Sequence, residues 1–276
     1  MSDQLILQQV YKRRRWRNST PYSSVDPDAA AWFDAVEATG ATFGPDSATA
    51  DANKKAWDTW VKAQKNAESP IAGRSNWDQL TQEDEGFIQP LIGLSTFDVP
   101  ALFGGRTFTG FVADDYDPAM GLKGGAGKVL STNRLSTSAP INDSSLGMWV
   151  TAAGGEVENS LIAFCSDRFR VTETATFRNR TTTNRTFAPS YGLGTFPRSC
   201  FMSRDNESTA NFHNSTLYSL AESSLGTLVN ELAFFNRDSL EQPSTVRGGV
   251  AFYGRAINLT AMNTACIALS EAITWP

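Results

Sequence analysis

The clearest hydrophobic pattern in the chain is at its C-terminal end. Leu259, Met262, Cys266, Leu269 and Ile273 recur at steps of three and four, which places them on one face of a helix. Two short apolar runs precede it, Leu228 to Phe235 and Gly249 to Tyr253. They flank a polar turn region with Pro243 and predict strands. Toward the N-terminus the helical period returns twice. Trp32, Phe33 and Val36 make the stripe of a first helix, capped by Asp26 or Asp28, with Pro27 at an early turn position and Gly40 at its end. Trp57, Trp60 and Val61 share one face of a second, capped by Asp46 or Ser47 and ended by Glu68-Ser69-Pro70. Ala52, Ala56 and Ala63 support close packing of that helix, and the tryptophans read as core.

Between residues 81 and 255 the period shortens to that of strands. Apolar and β-branched runs at Thr107 to Ala113, Leu146 to Thr151, Leu161 to Cys165 and Phe169 to Phe177 alternate with Gly, Pro, Asn and Asp turns. In Arg168 to Asn179, Phe169, Val171, Ala175 and Phe177 alternate against arginines and threonines, the pattern of one half-solvated strand. Gly121 to Lys128 reads as a hairpin whose glycines supply positive φ. The predicted fold is therefore mainly β, an antiparallel sandwich or jelly roll preceded by two helices and closed by a C-terminal helix. Three segments follow: an arm at 1–26, a helical segment at 27–80 and a β-sandwich with its helix at 81–276. No repeat of fixed period emerges.

Composition narrows the chemistry. A hydrophobic fraction of 41% with 7 Trp, 6 Tyr and 17 Phe can fill a core. The charged fraction of 19% lies below the usual quarter, with Ser, Thr, Asn and Gly in its place, as in turn-rich all-β proteins. The formal net charge of −5 argues against nucleic acid as a partner. Cys165, Cys200 and Cys266 are too few for a disulfide framework and read as reduced core thiols. A lone His213 excludes most zinc and Ser-His-Asp designs. Residues 1 to 25 lack the apolar run of a secretory signal, and no stretch is long and apolar enough to span a membrane.

Several segments carry candidate chemistry. The arm holds Lys12, Arg13, Arg14, Arg15, Trp16 and Arg17, suited to fork onto carboxylates and to anchor an indole in a partner surface; a solvated tail and a weak nucleic-acid patch are the alternatives. Asp114, Asp115 and Asp117 crowd around Tyr116, where a calcium ion could find oxygen ligands, although a solvated turn closed by Pro118 is the expectation. Gly121 to Lys128 lacks the spacing and the hydroxyl of a phosphate loop. Glu156 and Glu158 could serve a glycosidase, but such pairs are common. Trp149 and Tyr191 could stack on sugar or a partner protein, with Arg178, Arg180 and Arg185 as hydrogen-bond donors.

The ordered segments VDPDAAAWFDAVEATGATFG, KAWDTWVKAQKNAE, NWDQL, FVADDYDPAMGLKGGAGKVLSTNR, LGTFPRSCFMSRDNESTANFHNSTL and LVNELAFFNRDS…VRGGVAFYGRAINL span most of residues 27 to 273. In order and spacing they resemble a group of tailed-bacteriophage structural proteins that join a helical hairpin to a concanavalin-A-like, laminin-G-type sandwich. The resemblance implies a non-enzymatic virion protein, a tail fibre or appendage that binds host-surface glycan; the arm lies outside the matched segments and is read from its own residues as the part that holds the protein among other virion proteins. It implies a homo-oligomer, for which a trimer is one arrangement, and no cofactor beyond the calcium alternative. A capsid-decorating or fibre-adaptor subunit that binds only virion proteins is the second reading. A polysaccharide-degrading enzyme is the outlier.

Overall fold

Both N-terminal stripes fold as helices in the computed structural model, which describes residues 25–276 apart from 136, 153–160, 167–168, 173–175, 180–184, 187–195, 215, 222, 225–230 and 236–243. Helix α1 (Pro27–Ala38) starts at Asp26, whose Oδ1 accepts from the Asp28 N–H at 2.9 Å. Helix α2 (Ser47–Asn66) starts at Asp46, which accepts from the Thr49 N–H at 2.8 Å. A short third helix, α3 (Asn76–Leu80), opens on a capping box between Ser75 and Asp78. Trp32, Phe33, Val36, Trp57, Trp60 and Val61 are all buried, whereas Ala52 is exposed and takes no part in the packing. The indole N–H of Trp32 donates to the Pro100 carbonyl at 2.9 Å and that of Trp57 to the Ile92 carbonyl at 3.2 Å. Both helices are thereby tied to the segment that enters the sheets.

The strands are β1 (Phe87–Pro90), β2 (Thr107–Thr109), β3 (Tyr116–Asp117), β4 (Gly121–Lys123), β5 (Val129–Leu135), β6 (Ser144–Ala152), β7 (Leu161–Ser166) and β8 (Phe169–Thr172). After them come β9 (Thr176–Asn179), β10 (Arg185–Thr186), β11 (Arg198–Arg204), β12 (Thr209–Asn214), β13 (Thr216–Ala221), β14 (Glu231–Phe234) and β15 (Arg247–Gly254), and the chain closes with helix α4 (Leu259–Ala272). They form two antiparallel sheets. The larger runs β13-β12-β11-β6-β15-β4-β3, with β1 also on β15, and the smaller runs β10-β9-β8-β7-β14-β5-β2. The protein is a β-sandwich with a helical layer, as the alternation and the terminal helix predict.

The larger sheet is covered on both sides. Leu146, Met148 and Val150 of β6, Cys200 and Met202 of β11, and Ala251 and Tyr253 of β15 meet Leu130, Leu232 and Phe234 of the smaller sheet. On the opposite face Trp149, Phe201, Val250 and Phe252 pack under the helices. The stripe Leu259, Met262, Cys266 and Leu269 is buried there, each large apolar side chain contributing about 1.5–3 kcal/mol. Burial pushes the Cys266 thiol up to about 12, so it is an inert packing group. Cys200 is likewise free and buried. Gly147 lets two rings cross over β6: a Cβ there would lie 2.6 Å from Phe201 and 2.7 Å from Phe252.

Strand β15 pairs with β6 through two irregularities. Arg247 faces Ala152, Gly248 faces Val150 and Val250 faces Trp149. The register skips Thr151 on one strand and Gly249 on the other.

Two expectations change. The segment Arg168 to Asn179 is not one strand but two, β8 and β9, paired antiparallel with Phe169 opposite Asn179 and Val171 opposite Phe177. A period of two is the same on both arms of a hairpin and cannot reveal the reversal. The glycine-rich segment does not fold β4 onto β5. Strand β4 pairs with β3 and β15, and β5 with β2 and β14, so Gly124 to Lys128 crosses between the sheets. Gly127, with φ of 72°, supplies the turn.

Candidate functional site

The acidic turn is held from within. Ala113–Asp115 forms a 3-10 turn that buries Asp115. Its carboxylate pairs with the Lys128 ammonium and accepts from the Val112 N–H at 2.9 Å. Burial alone would raise this carboxyl, but the hydrogen bonds from Lys128 and Val112, with the charges of Lys128 and Lys123, hold it below its ordinary value. Asp117 Oδ1 accepts from the N–H groups of Ala119 at 2.9 Å and Met120 at 3.0 Å. Arg247 donates to the carbonyls of Asp115 and Gly121 at 3.2 and 2.8 Å. Asp114 is exposed. A cation at Asp115 would meet the Lys128 ammonium, and among the described residues no group of three or more His, Cys, Asp or Glu is arranged to hold a metal. The Asp115 and Asp117 carboxylates thus work as turn fasteners, while Asp114 faces outward.

Trp149 is not a contact residue, which corrects the expectation. It is 1% exposed, and its indole N–H donates to Ser270 Oγ of α4 at 2.6 Å. The alternation of β6 places it on the helix-covered face, where no ligand ring can reach it. Arg178 lies on β9 opposite Arg170, and Arg185 on β10 opposite Phe177. Arg13, Arg14, Arg15, Trp16, Arg17, Arg180 and Tyr191, with Glu156 and Glu158, lie outside the described residues.

The structure brings together a set that the sequence reading missed. On the smaller sheet Leu130 and Thr132 point inward, so Ser131, Asn133 and Leu135 of β5 point outward with Thr107 of β2 and Glu231 of β14. Thr107 Oγ1 and Ser131 Oγ each lie 3.2 Å from Asn133 Oδ1 and donate to it, and Ser131 also reaches the Glu231 carboxylate. One hydroxyl proton serves one acceptor at a time, so this set can change partners without leaving the face. The Asn133 N–H donates back to Ser131 Oγ at 3.0 Å, and Asn133 sits at φ of 54°. Asparagine tolerates that left-handed geometry better than most residues. Its Oδ1 is engaged, which leaves its amide N–H groups to offer a ligand. The signal was in the sequence as the alternation Leu130-Ser131-Thr132-Asn133, half of it polar and outward.

A cleft of about 710 Å³ between the helices is lined by Lys65, Arg74, Trp77 and Asp78 among others. Lys65 is already shared between Asp26 at 2.7 Å and Asp28 at 2.6 Å, and lies 5.3 Å from the Trp77 ring centroid. Asp78 closes the cap of α3. These charges fasten the helices together. Among the described residues no helix is long and apolar enough to cross a membrane.

No family model matches the chain, and no curated protein does. Solved structures that it matches include a mutant of Trypanosoma rangeli sialidase displaying trans-sialidase activity, at 12% identity and TM-score 0.42, covering 81% of this chain and 38% of that one. Trypanosoma rangeli sialidase in complex with sialic acid matches at 13% identity and TM-score 0.39, covering 80% of this chain and 38% of that one. HCR/D-Sa-GBL1/C matches at 10% identity and TM-score 0.41, covering 67% and 51%. The chain thus spans under two fifths of the sialidases' length. The expectation of a non-enzymatic protein is corrected by these matches, because sialidases are enzymes. At this level of likeness they assign this chain neither an activity, a substrate nor a site residue.

Proposed function

We propose that the chain is a structural protein of a tailed-bacteriophage virion, built on a concanavalin-A-like sandwich, that presents the outward face of its smaller sheet to a host-surface saccharide. The observation that carries this reading is the set Thr107, Ser131, Asn133 and Glu231. Hydroxyl, amide and carboxylate groups stand side by side on an exposed sheet face, and sugars are recognised by such convergent donors and acceptors. The central strands of the other sheet, β6, β11 and β15, lie between the helices and the smaller sheet and are buried along most of their length. The resemblance of the ordered segments along the chain supports the virion setting.

A fibre-adaptor or capsid-decorating role is favoured by one further feature. Leu135, directly opposite Glu231, is 48% exposed, and an apolar side chain in this position suits a protein partner.

The test is saccharide binding by the full chain on an array of bacterial surface polysaccharides, followed by titration of the best binder. Glu231→Gln should weaken binding about tenfold, the loss of one or two hydrogen bonds, with an unchanged melting temperature, and Asn133→Ala should weaken it as much with a lowered melting temperature, because alanine fits the φ of 54° less well. Binding that survives both changes overturns the assignment to this face. If no saccharide binds and Leu135→Asp blocks reassembly onto particles lacking the protein, the adaptor role replaces it.

A further inference from the structure

A second cleft, of about 470 Å³, opens beside the helices and is apolar inside. Trp32 and Ala35 of α1, Trp77 of α3, and Leu102 and Phe103 of the segment before β2 line it, and among its described lining only Asp28 and Thr81 are polar. The walls are fixed by the fold. The Ile88 carbonyl accepts from the N–H groups of Leu102 and Phe103 at 2.9 and 3.2 Å, and the Trp32 indole is tied to the Pro100 carbonyl at 2.9 Å. The surroundings are acidic. Asp28 and Asp34 are exposed on α1, Asp34 next to Ala35, and Glu83 is exposed two residues past Thr81. A hollow that is apolar inside and acidic outside suits an aromatic group flanked by cations.

We propose that the chain's own N-terminal arm occupies this hollow, with Trp16 against its apolar lining and Arg15 and Arg17 toward its acidic border. The arm leads straight to the site: Val25 packs on the helical core, and Asp28, three residues on, already lines the hollow. The nine residues from Trp16 to Val25 can reach about 30 Å when extended. Asn18, Ser19, Thr20 and Pro21 among them are turn formers, which lets the chain reverse onto α1. Charge is complementary as well. Residues 1–24 hold five of the chain's 24 basic residues and one of its 29 acidic ones, so the arm carries +4 and the remainder −9. Exposed ion pairs contribute little, so the charges bring the arm in and the indole supplies most of the hold. A tethered arm is at high effective concentration, which favours it over the arm of a second copy. None of these residues belongs to the saccharide face, so either reading can fail alone.

Limited trypsin digestion of the full chain tests the proposal, read as cutting after Lys12 and Arg13. A seated arm is cut only in the fraction of molecules where it has lifted off. Trp16→Ala should be cut there at least about tenfold faster than the wild type. So should Ala31→Lys, which sets a cation in the lining at an exposed helical position. Equal cutting of all three chains overturns the proposal, and so does protection that grows with protein concentration. Should Ala31→Lys fail to fold, Trp16→Ala and a photocrosslink decide. A benzophenone side chain at position 16 should join to residues 27–38 or 99–103 of the same chain. Crosslinks confined to other segments, or formed between chains, overturn the proposal.

Discussion

His213 shows how a single side chain can set a pH limit. It lies on β12, buried, with Nδ1 2.7 Å from Ser199 Oγ, and burial pushes its pKa down to about 4. In the unfolded chain the imidazole titrates near its ordinary value of 6.5. Between these two values the unfolded chain takes up a proton that the folded protein refuses, so stability falls as pH drops through that window. It is flat with respect to this group above and below it. The full loss is at most about 3 kcal/mol. Chemical denaturation of wild type and His213→Asn at a series of pH values checks this. The variant should start less stable at neutral pH and lose about 3 kcal/mol less on descending to pH 4. Parallel curves would place the acid sensitivity in the carboxylates. The sequence showed His213 as a solitary imidazole in a polar stretch. It could not show the burial, because Asn211, His213 and Asn214 read as surface until β11 and α4 are seen to cover them.

Helix α4 was the most legible element, since a helix packed on one side must repeat its apolar residues at the helical period. Leu269 is 2% exposed and Ile267, two positions earlier, is 40% exposed. Leu269→Ala should cost about 2–5 kcal/mol in urea denaturation and Ile267→Ala under about 1 kcal/mol. Equal costs would mean that the helix does not dock by this stripe. Strand β6 was legible as a strand and β11 was not, and neither was legible as covered on both faces. Their burial is nearly continuous, so nothing along them marks Trp149 as facing helices and Met148 as facing the other sheet. That ambiguity put Trp149 among the contact residues. The candidate face on β5 was written in clear alternation but passed over. Its residues come from three strands far apart in sequence, and only the pairing of β2 and β14 with β5 brings Thr107 and Glu231 beside Asn133.

At the scale of the whole molecule, the helices and the larger sheet share one core. Residues of α1, α2 and α4 form a single cluster with Trp149, Phe201 and Phe252, so the helical layer and the sandwich are joined through a common interior. This arrangement demands that β15 keep its side chains sorted along its whole length, with Val250 and Phe252 beneath the helices and Ala251 and Tyr253 between the sheets. The two skipped residues, Thr151 and Gly249, lie on opposite strands and cancel, so the alignment of β15 with β6 is the same before and after them. They therefore behave like paired frameshifts in a message. Deleting Gly249 alone, or Thr151 alone, leaves one half of the strand pair out of phase and turns its side chains to the wrong layer. Deleting both restores the phase, so each deletion should act as a suppressor of the other. The double deletion should yield more folded protein than either single one.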